Sequence, residues 1–200
     1  MPPKVTIGSS GGDITSSPGT GSISESTLLN GNYMVIEPSV SVKSYLNTVS
    51  SNRIAQNNDS SIYGGYCLAF SYIHAYSLYS GDTSKRAKDA IDYVYASYFN
   101  GYVNDDKSAV LANVYNELMQ GKPVLIQVNG NKAGTSRHYV TVVGFKKDVK
   151  SANDIEESDL LIIDSWDGKL EPMGESGSRF MVTGAACHKK YTGYQMYYIE

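Results

Sequence analysis

Two hundred residues with a formal net charge of −3 suffice for one domain with a substantial core, and basic residues form no long run that would ask for nucleic acid or a membrane surface. No apolar run approaches the ~20 residues of a membrane span, and Met1-Pro2-Pro3-Lys4 lacks the apolar centre of a secretion signal. Two cysteines make no disulfide framework, although a single Cys67–Cys187 bridge stays open. With the three histidines they supply no closely spaced ligand pair, so neither a metal nor a cofactor is expected.

Residues 1–30 contain 16 Gly, Ser or Thr and almost no charge, which reads as a linker or arm, placed at residues 1–32. One domain is then expected over 33–200. Tyr33-Met34-Val35-Ile36 is the first apolar cluster, stopped by Pro38. Val40 to Val49 fits a short helix or a short strand. A polar loop, Asn57 to Ser61, leads to Gly64-Gly65-Tyr66-Cys67. From Cys67 an apolar and aromatic segment runs to Tyr79 with roughly helical spacing, closed by Ser80-Gly81, so Cys67 falls in the first turn of a largely buried helix.

Gly81-Asp82-Thr83-Ser84 is a helix start, followed by Ala87, Ala90, Ile91, Val94, Tyr95 and Tyr98 at helical spacing. Asp105-Asp106 caps a third helix with Val110, Leu111, Val114 and Leu118 on its core face and Gly121 as its stop. The period then changes. Pro123 to Val128, His138 to Phe145 and Leu160 to Asp164 read as buried strands. Ser165-Trp166-Asp167-Gly168 is a turn, and Arg179 to Val182 and Tyr194 to Ile199 read as further strands. Helices first and strands afterwards predict an α+β fold, a helical half packed on a mostly antiparallel sheet.

This order sets three reactive residues at element ends: Cys67 begins a helix, His138 begins a strand, and Asp164 ends the next strand 26 residues later. A helix N-terminus favours an anion, so a thiolate forms there more readily than in free cysteine. An imidazole beside it takes the thiol proton and returns it to a leaving amine. A carboxylate holds the imidazole in the required tautomer. Each residue also has a plain structural role: a small buried apolar group for Cys67, a hydrogen-bonded strand start for His138, a turn former for Asp164.

The runs Gly121-Lys122-Pro123-Val124-Leu125-Ile126-Gln127-Val128-Asn129, His138-Tyr139-Val140-Thr141-Val142-Val143-Gly144-Phe145 and Leu161-Ile162-Ile163-Asp164-Ser165-Trp166-Asp167-Gly168 resemble the papain-like cysteine peptidases of family 39. That family includes bacteriocin leader peptidases and bacterial and phage domains. The resemblance runs from about Arg53 to the end. It implies a papain-like fold and a Cys67, His138, Asp164 triad that hydrolyses peptide or isopeptide bonds. It also implies that a glutamine upstream of the cysteine helps bind the oxyanion. Gln56, 11 residues before Cys67, is the one glutamine in that region, and a solvated loop residue is its other reading. Two departures stand out: Cys67-Leu68-Ala69 where the family has Cys-Gly-Pro, and Asp164-Ser165-Trp166 where it has Asp-Pro-Trp.

Other residues are weaker candidates. Trp166 reads as a wall of the substrate site or as packing under the loop. His74 lies ~10 Å along the helix axis from Cys67, too far for a catalytic pair, and reads as a core or helix-surface histidine. Cys187-His188 reads as a surface loop, and Asp167 as the alternative orienter of His138. Three functions compete. The first is a cysteine peptidase, phage- or bacterium-encoded, acting on a polypeptide or a peptidoglycan peptide. The second is transglutaminase-like acyl transfer. The third is a papain-like module without activity in a larger assembly such as a virion, with the arm docking it there.

Overall fold

The structure, a computed structural model, describes residues 21–37, 41–52, 67–90, 103–105, 107–128, 138–173 and 194–197. Among the described residues the helices include α1 (Val42–Asn52), α2 (Cys67–Ser80) and α3 (Lys107–Met119); residues 87–90 are also helical, and the rest of the helix expected there lies outside the described residues. Eight strands are β1 (Ser22–Glu25), β2 (Tyr33–Glu37), β3 (Val103–Asp105), β4 (Val124–Val128), β5 (His138–Lys146), β6 (Leu160–Asp164), β7 (Leu170–Pro172) and β8 (Tyr194–Tyr197). All pair antiparallel in one sheet, with the path β1-β2-β5-β4-β8-β3 and with β6 and β7 branching from β5. The fold is α+β.

Each helix follows from its sequence. The stretch after Pro38 is a helix because Ser41 caps it: Ser44 N–H donates to Ser41 Oγ at 3.2 Å, and Tyr45 N–H donates to Ser41 C=O at 2.9 Å. Val42 and Tyr45 are its buried face, with Leu46 packed behind them. Helix α2 has no charged residue, and ten of its 14 residues are buried, which suits a helix enclosed on most sides. In α3 the buried residues include Val110, Leu111, Val114 and Leu118, the positions that the apolar spacing picks out. Its last turn closes with Gly121 N–H on Leu118 C=O at 2.8 Å.

Strand β5 organises the sheet. Along one edge it pairs with β4 over its first half and with β2 over its second; along the other it pairs with β6. The β5–β6 register shifts between Val142 and Gly144, so Val143 is an extra residue. Such a bulge bends a strand and adds twist. At the same place β2 crosses close: a Cβ on Gly144 would sit 2.2 Å from Met34 O. Only glycine fits there. Every residue of β6, Leu160 to Asp164, is buried, as expected of a strand covered on both faces.

Strands β1, β3 and β7 are additions to the sequence reading. The alternation Ser22-Ile23-Ser24-Glu25 lies inside the segment assigned by composition to an arm over residues 1–32, yet it pairs with β2 from Ser22↔Glu37 to Glu25↔Met34. Ile23 and Leu28 pack against the core. Residues 22–25 therefore belong to the sheet. Strand β7 follows the Gly168 turn and pairs Leu170 with Ile163. The expected strand over Arg179 to Val182 lies outside the described residues. No described helix is long and apolar enough to cross a membrane.

Candidate active site

The central pair comes from the sheet. Asp164 is opposite Val140, two residues from His138, so His138 and Asp164 are diagonal neighbours on one face, within reach of long side chains. His138 Nε2 lies 2.9 Å from Asp164 Oδ1, and both side chains are buried. A carboxylate only accepts, so Nε2 carries the hydrogen. The same Oδ1 accepts the Trp166 backbone N–H at 2.8 Å, which fixes the carboxylate.

The turn beyond β6 makes that contact. Gly168 N–H donates to Asp164 C=O at 2.8 Å, and Asp164 N–H donates to Lys169 C=O at 2.9 Å. Gly168 takes φ +70°, which favours glycine. The chain is thus folded back so that Trp166 N–H points at the carboxylate. Asp167, the alternative orienter, faces away: its carboxylate pairs with Lys169 Nζ at 2.9 Å.

Helix α2 brings the thiol. Thr141 Oγ1 of β5 donates to Ser71 C=O at 2.8 Å, tying the first turns of α2 to β5. Cys67, the first residue of the helix, is buried and in no disulfide. It forms a side-chain hydrogen bond with His138. Since Nε2 is engaged by Asp164, Nδ1 is the nitrogen left for Cys67. Burial of the imidazole works against its charge, but hydrogen bonds to Asp164 and Cys67, with their charges, outweigh it. His138 is held above its ordinary value of 6.5.

The remaining candidates separate. His74 is fully buried, and its Nδ1 lies 2.6 Å from Tyr45 Oη, so it belongs to the core. Burial pushes it down to about 3, which keeps it neutral. Trp166 is half-buried beside Asp164. Gln56 and the Cys187-His188 pair lie outside the described residues. The sequence marks Ser165 only as part of a turn, yet its Oγ lies 3.1 Å from His138 Nε2. The one signal for it was its place in Asp164-Ser165-Trp166, where the resembling family has proline.

The sequence matches the model of the Peptidase_C39 like family over residues 30–176, a span that includes Cys67, His138 and Asp164. The chain belongs to the Peptidase_C39 like family. Family membership supports a cysteine-peptidase-like protein and is silent on a phage or virion origin. Among solved structures, the Salmonella effector SpvD in its G161 variant is similar at 15% identity, covering 90% of this chain and 86% of that one with a TM-score of 0.44. That likeness is too distant to bear on the site. No curated protein matches.

Proposed function

We propose that this member of the Peptidase_C39 like family is an active cysteine peptidase in which Cys67 is the nucleophile, His138 the acid–base group and Asp164 the residue that orients the imidazole. The observation that carries this reading is the hydrogen-bonded run from Cys67 through His138 to Asp164, 2.9 Å at its second link. Three residues 71 and 26 positions apart in sequence meet through an enclosed helix and two paired strands.

The chemistry follows from the tautomer. Nδ1 takes the Cys67 proton, and the sulfur adds to the carbonyl carbon of the scissile bond. The imidazolium then gives that proton to the leaving amine as the C–N bond breaks, and a thioester to Cys67 remains. Water, deprotonated by Nδ1, adds to the thioester; the acid leaves and the thiol is restored. Asp164 keeps the Nε2 hydrogen and opposes ring rotation. Gln56 is the proposed side-chain donor to the oxyanion, and Trp166 the proposed wall beside it. The substrate class is a polypeptide or a peptidoglycan peptide.

An electrophilic peptide library tests the reading. It should label Cys67 in the wild-type protein and leave it unlabelled in a folded His138→Ala variant. Unlabelled wild-type Cys67 rejects the assignment. Adding a primary amine during turnover of a peptide ester separates the peptidase, which yields acid, from an acyltransferase, which yields amide.

A further inference from the structure

The triad leaves Ser165 without a role. Its residue is fully buried, and its Oγ lies 2.8 Å from the carbonyl oxygen of Tyr139 and 3.1 Å from His138 Nε2. A carbonyl oxygen only accepts, so the single hydroxyl hydrogen of Ser165 goes to Tyr139. What Ser165 turns toward His138 is a lone pair. Two acceptors then converge on one ring nitrogen: Asp164 Oδ1 at 2.9 Å and Ser165 Oγ at 3.1 Å.

We propose that Ser165 is a positioning residue for His138. Its hydroxyl, oriented by the Tyr139 carbonyl, is the second acceptor of the Nε2–H and holds the ring in the tautomer and rotation that present Nδ1 to Cys67. This assignment rests on the peptidase reading of Cys67 and His138.

Two anchors of different origin hold the hydrogen. Asp164 is fixed by the Trp166 N–H, and Ser165, which follows β6, is fixed by Tyr139 of the neighbouring strand β5. Rotation of the ring about Cβ–Cγ would have to break both contacts at once. A proline at position 165 has no hydroxyl and would leave the carboxylate as the sole acceptor of the pair. The hydroxyl is neutral, so it orients the ring and adds little charge. Its removal should therefore disturb geometry more than it disturbs the ionisation set by Asp164.

Nitrogen-15 NMR of histidine-labelled protein reads this directly. The chain has three histidines, and the His138 signals are those lost in His138→Ala. In the wild type at alkaline pH, neutral His138 should carry its hydrogen on Nε2 with slowed solvent exchange. In Ser165→Ala, exchange should quicken on the order of tenfold, and His138 should titrate about half a pH unit lower. On a peptide ester, kcat should fall about three- to tenfold with KM held, and Ser165→Thr, which keeps the hydroxyl, should recover part of the loss. A wild-type neutral ring protonated on Nδ1 overturns the proposal, and that measurement stands even where the alanine variant fails to fold. Unchanged exchange and titration in Ser165→Ala overturn it as well. If the wild type turns over no peptide while the NMR outcomes hold, the peptidase reading falls and the contact assigned to Ser165 stands.

Discussion

His138 and Asp164 bond across a diagonal of the sheet: the β5–β6 register sets Asp164 against Val140, and the His138 ring reaches Asp164 Oδ1 at 2.9 Å. Side chains alternate faces along a strand, so a slip of one residue in β6 would send the carboxylate to the opposite face. The register is held by the buried aliphatic run Leu160 to Ile163 and by the turn that returns to Lys169. The site thus depends on apolar packing that does no chemistry itself.

Asp164→Asn keeps an acceptor at Oδ1 and removes the charge. We expect kcat to fall on the order of ten- to a hundredfold, less than in a serine-based triad. Asp164→Ala should cost more and Asp167→Ala little, since Asp167 pairs with Lys169. His138 is raised above 6.5, so its imidazolium persists beyond that pH, and the alkaline fall of kcat/KM should lie above 6.5. In Asp164→Asn that fall should move back toward lower pH. Single-turnover acylation of the three variants across pH checks both; a greater loss in Asp167→Ala than in Asp164→Ala would reassign the orienter.

His138→Ala should abolish turnover and slow iodoacetamide labelling of Cys67 near neutral pH, because the hydrogen-bonded base is gone. Mass spectrometry of the labelled peptide gives the rate. An unchanged rate would show that the thiol draws no reactivity from the imidazole.

Much of this was legible in the sequence. Strand β6 reads from five residues, Leu160 to Asp164, because an apolar run ends at a turn former; α3 reads from four apolar positions and a glycine stop. The histidine and Asp164 read as partners because His138 begins one buried strand and Asp164 ends the next. Strands β1, β3 and β7, of three or four residues, carry too little apolar pattern to stand alone; they exist through pairing with β2, β8 and β6. The Val40–Val49 ambiguity was settled by a side-chain cap at Ser41. Ser165 is not legible in the sequence because its contact depends on the carbonyl of Tyr139, 26 residues away, which no residue pattern encodes.

Gly144→Ala should destabilise the domain by about 3 kcal/mol or more, near the upper end for overpacking, because the new Cβ would meet Met34 backbone. Urea unfolding should show a lower midpoint with the slope unchanged. A midpoint equal to that of the wild type would mean that β2 moves aside at no cost.

Removing residues 1–20 should leave the melting temperature nearly unchanged, since that segment has few apolar residues to bury. Removing residues 1–30 also strips β1, uncovers the edge of β2, and takes away Ile23 and Leu28. A fall of several degrees is expected there. Equal melting temperatures for the two truncations would show that β1 adds nothing to stability.

His74 predicts an acid weakness of the fold separate from the active site. Its ring is fully buried against Tyr45, and its Nε2 has no hydrogen-bond partner among the described residues. Burial holds Tyr45 above its ordinary phenol range and pushes His74 down to about 3, so the pair is neutral. In the unfolded chain His74 takes a proton below about 6.5. Its contribution to stability is therefore present above 6.5 and lost as pH falls toward 3, at about 1.4 kcal/mol per pH unit over that window. His138 acts in the opposite sense: its contribution is present below 6.5 and lost as pH rises through its raised value. Replacing both core partners, Tyr45→Phe with His74→Leu, removes the titrating group together with the hydroxyl bonded to it. Urea unfolding between pH 4 and 6.5 should then lose that 1.4 kcal/mol per unit from its slope. The single change Tyr45→Phe should keep the slope and cost about 1–3 kcal/mol at pH 7, because Nδ1 is left buried and unpaired. A double variant with the wild-type slope would mean that His74 is protonated in the folded state, and that the Tyr45–His74 contact is not the neutral core pair it is taken to be.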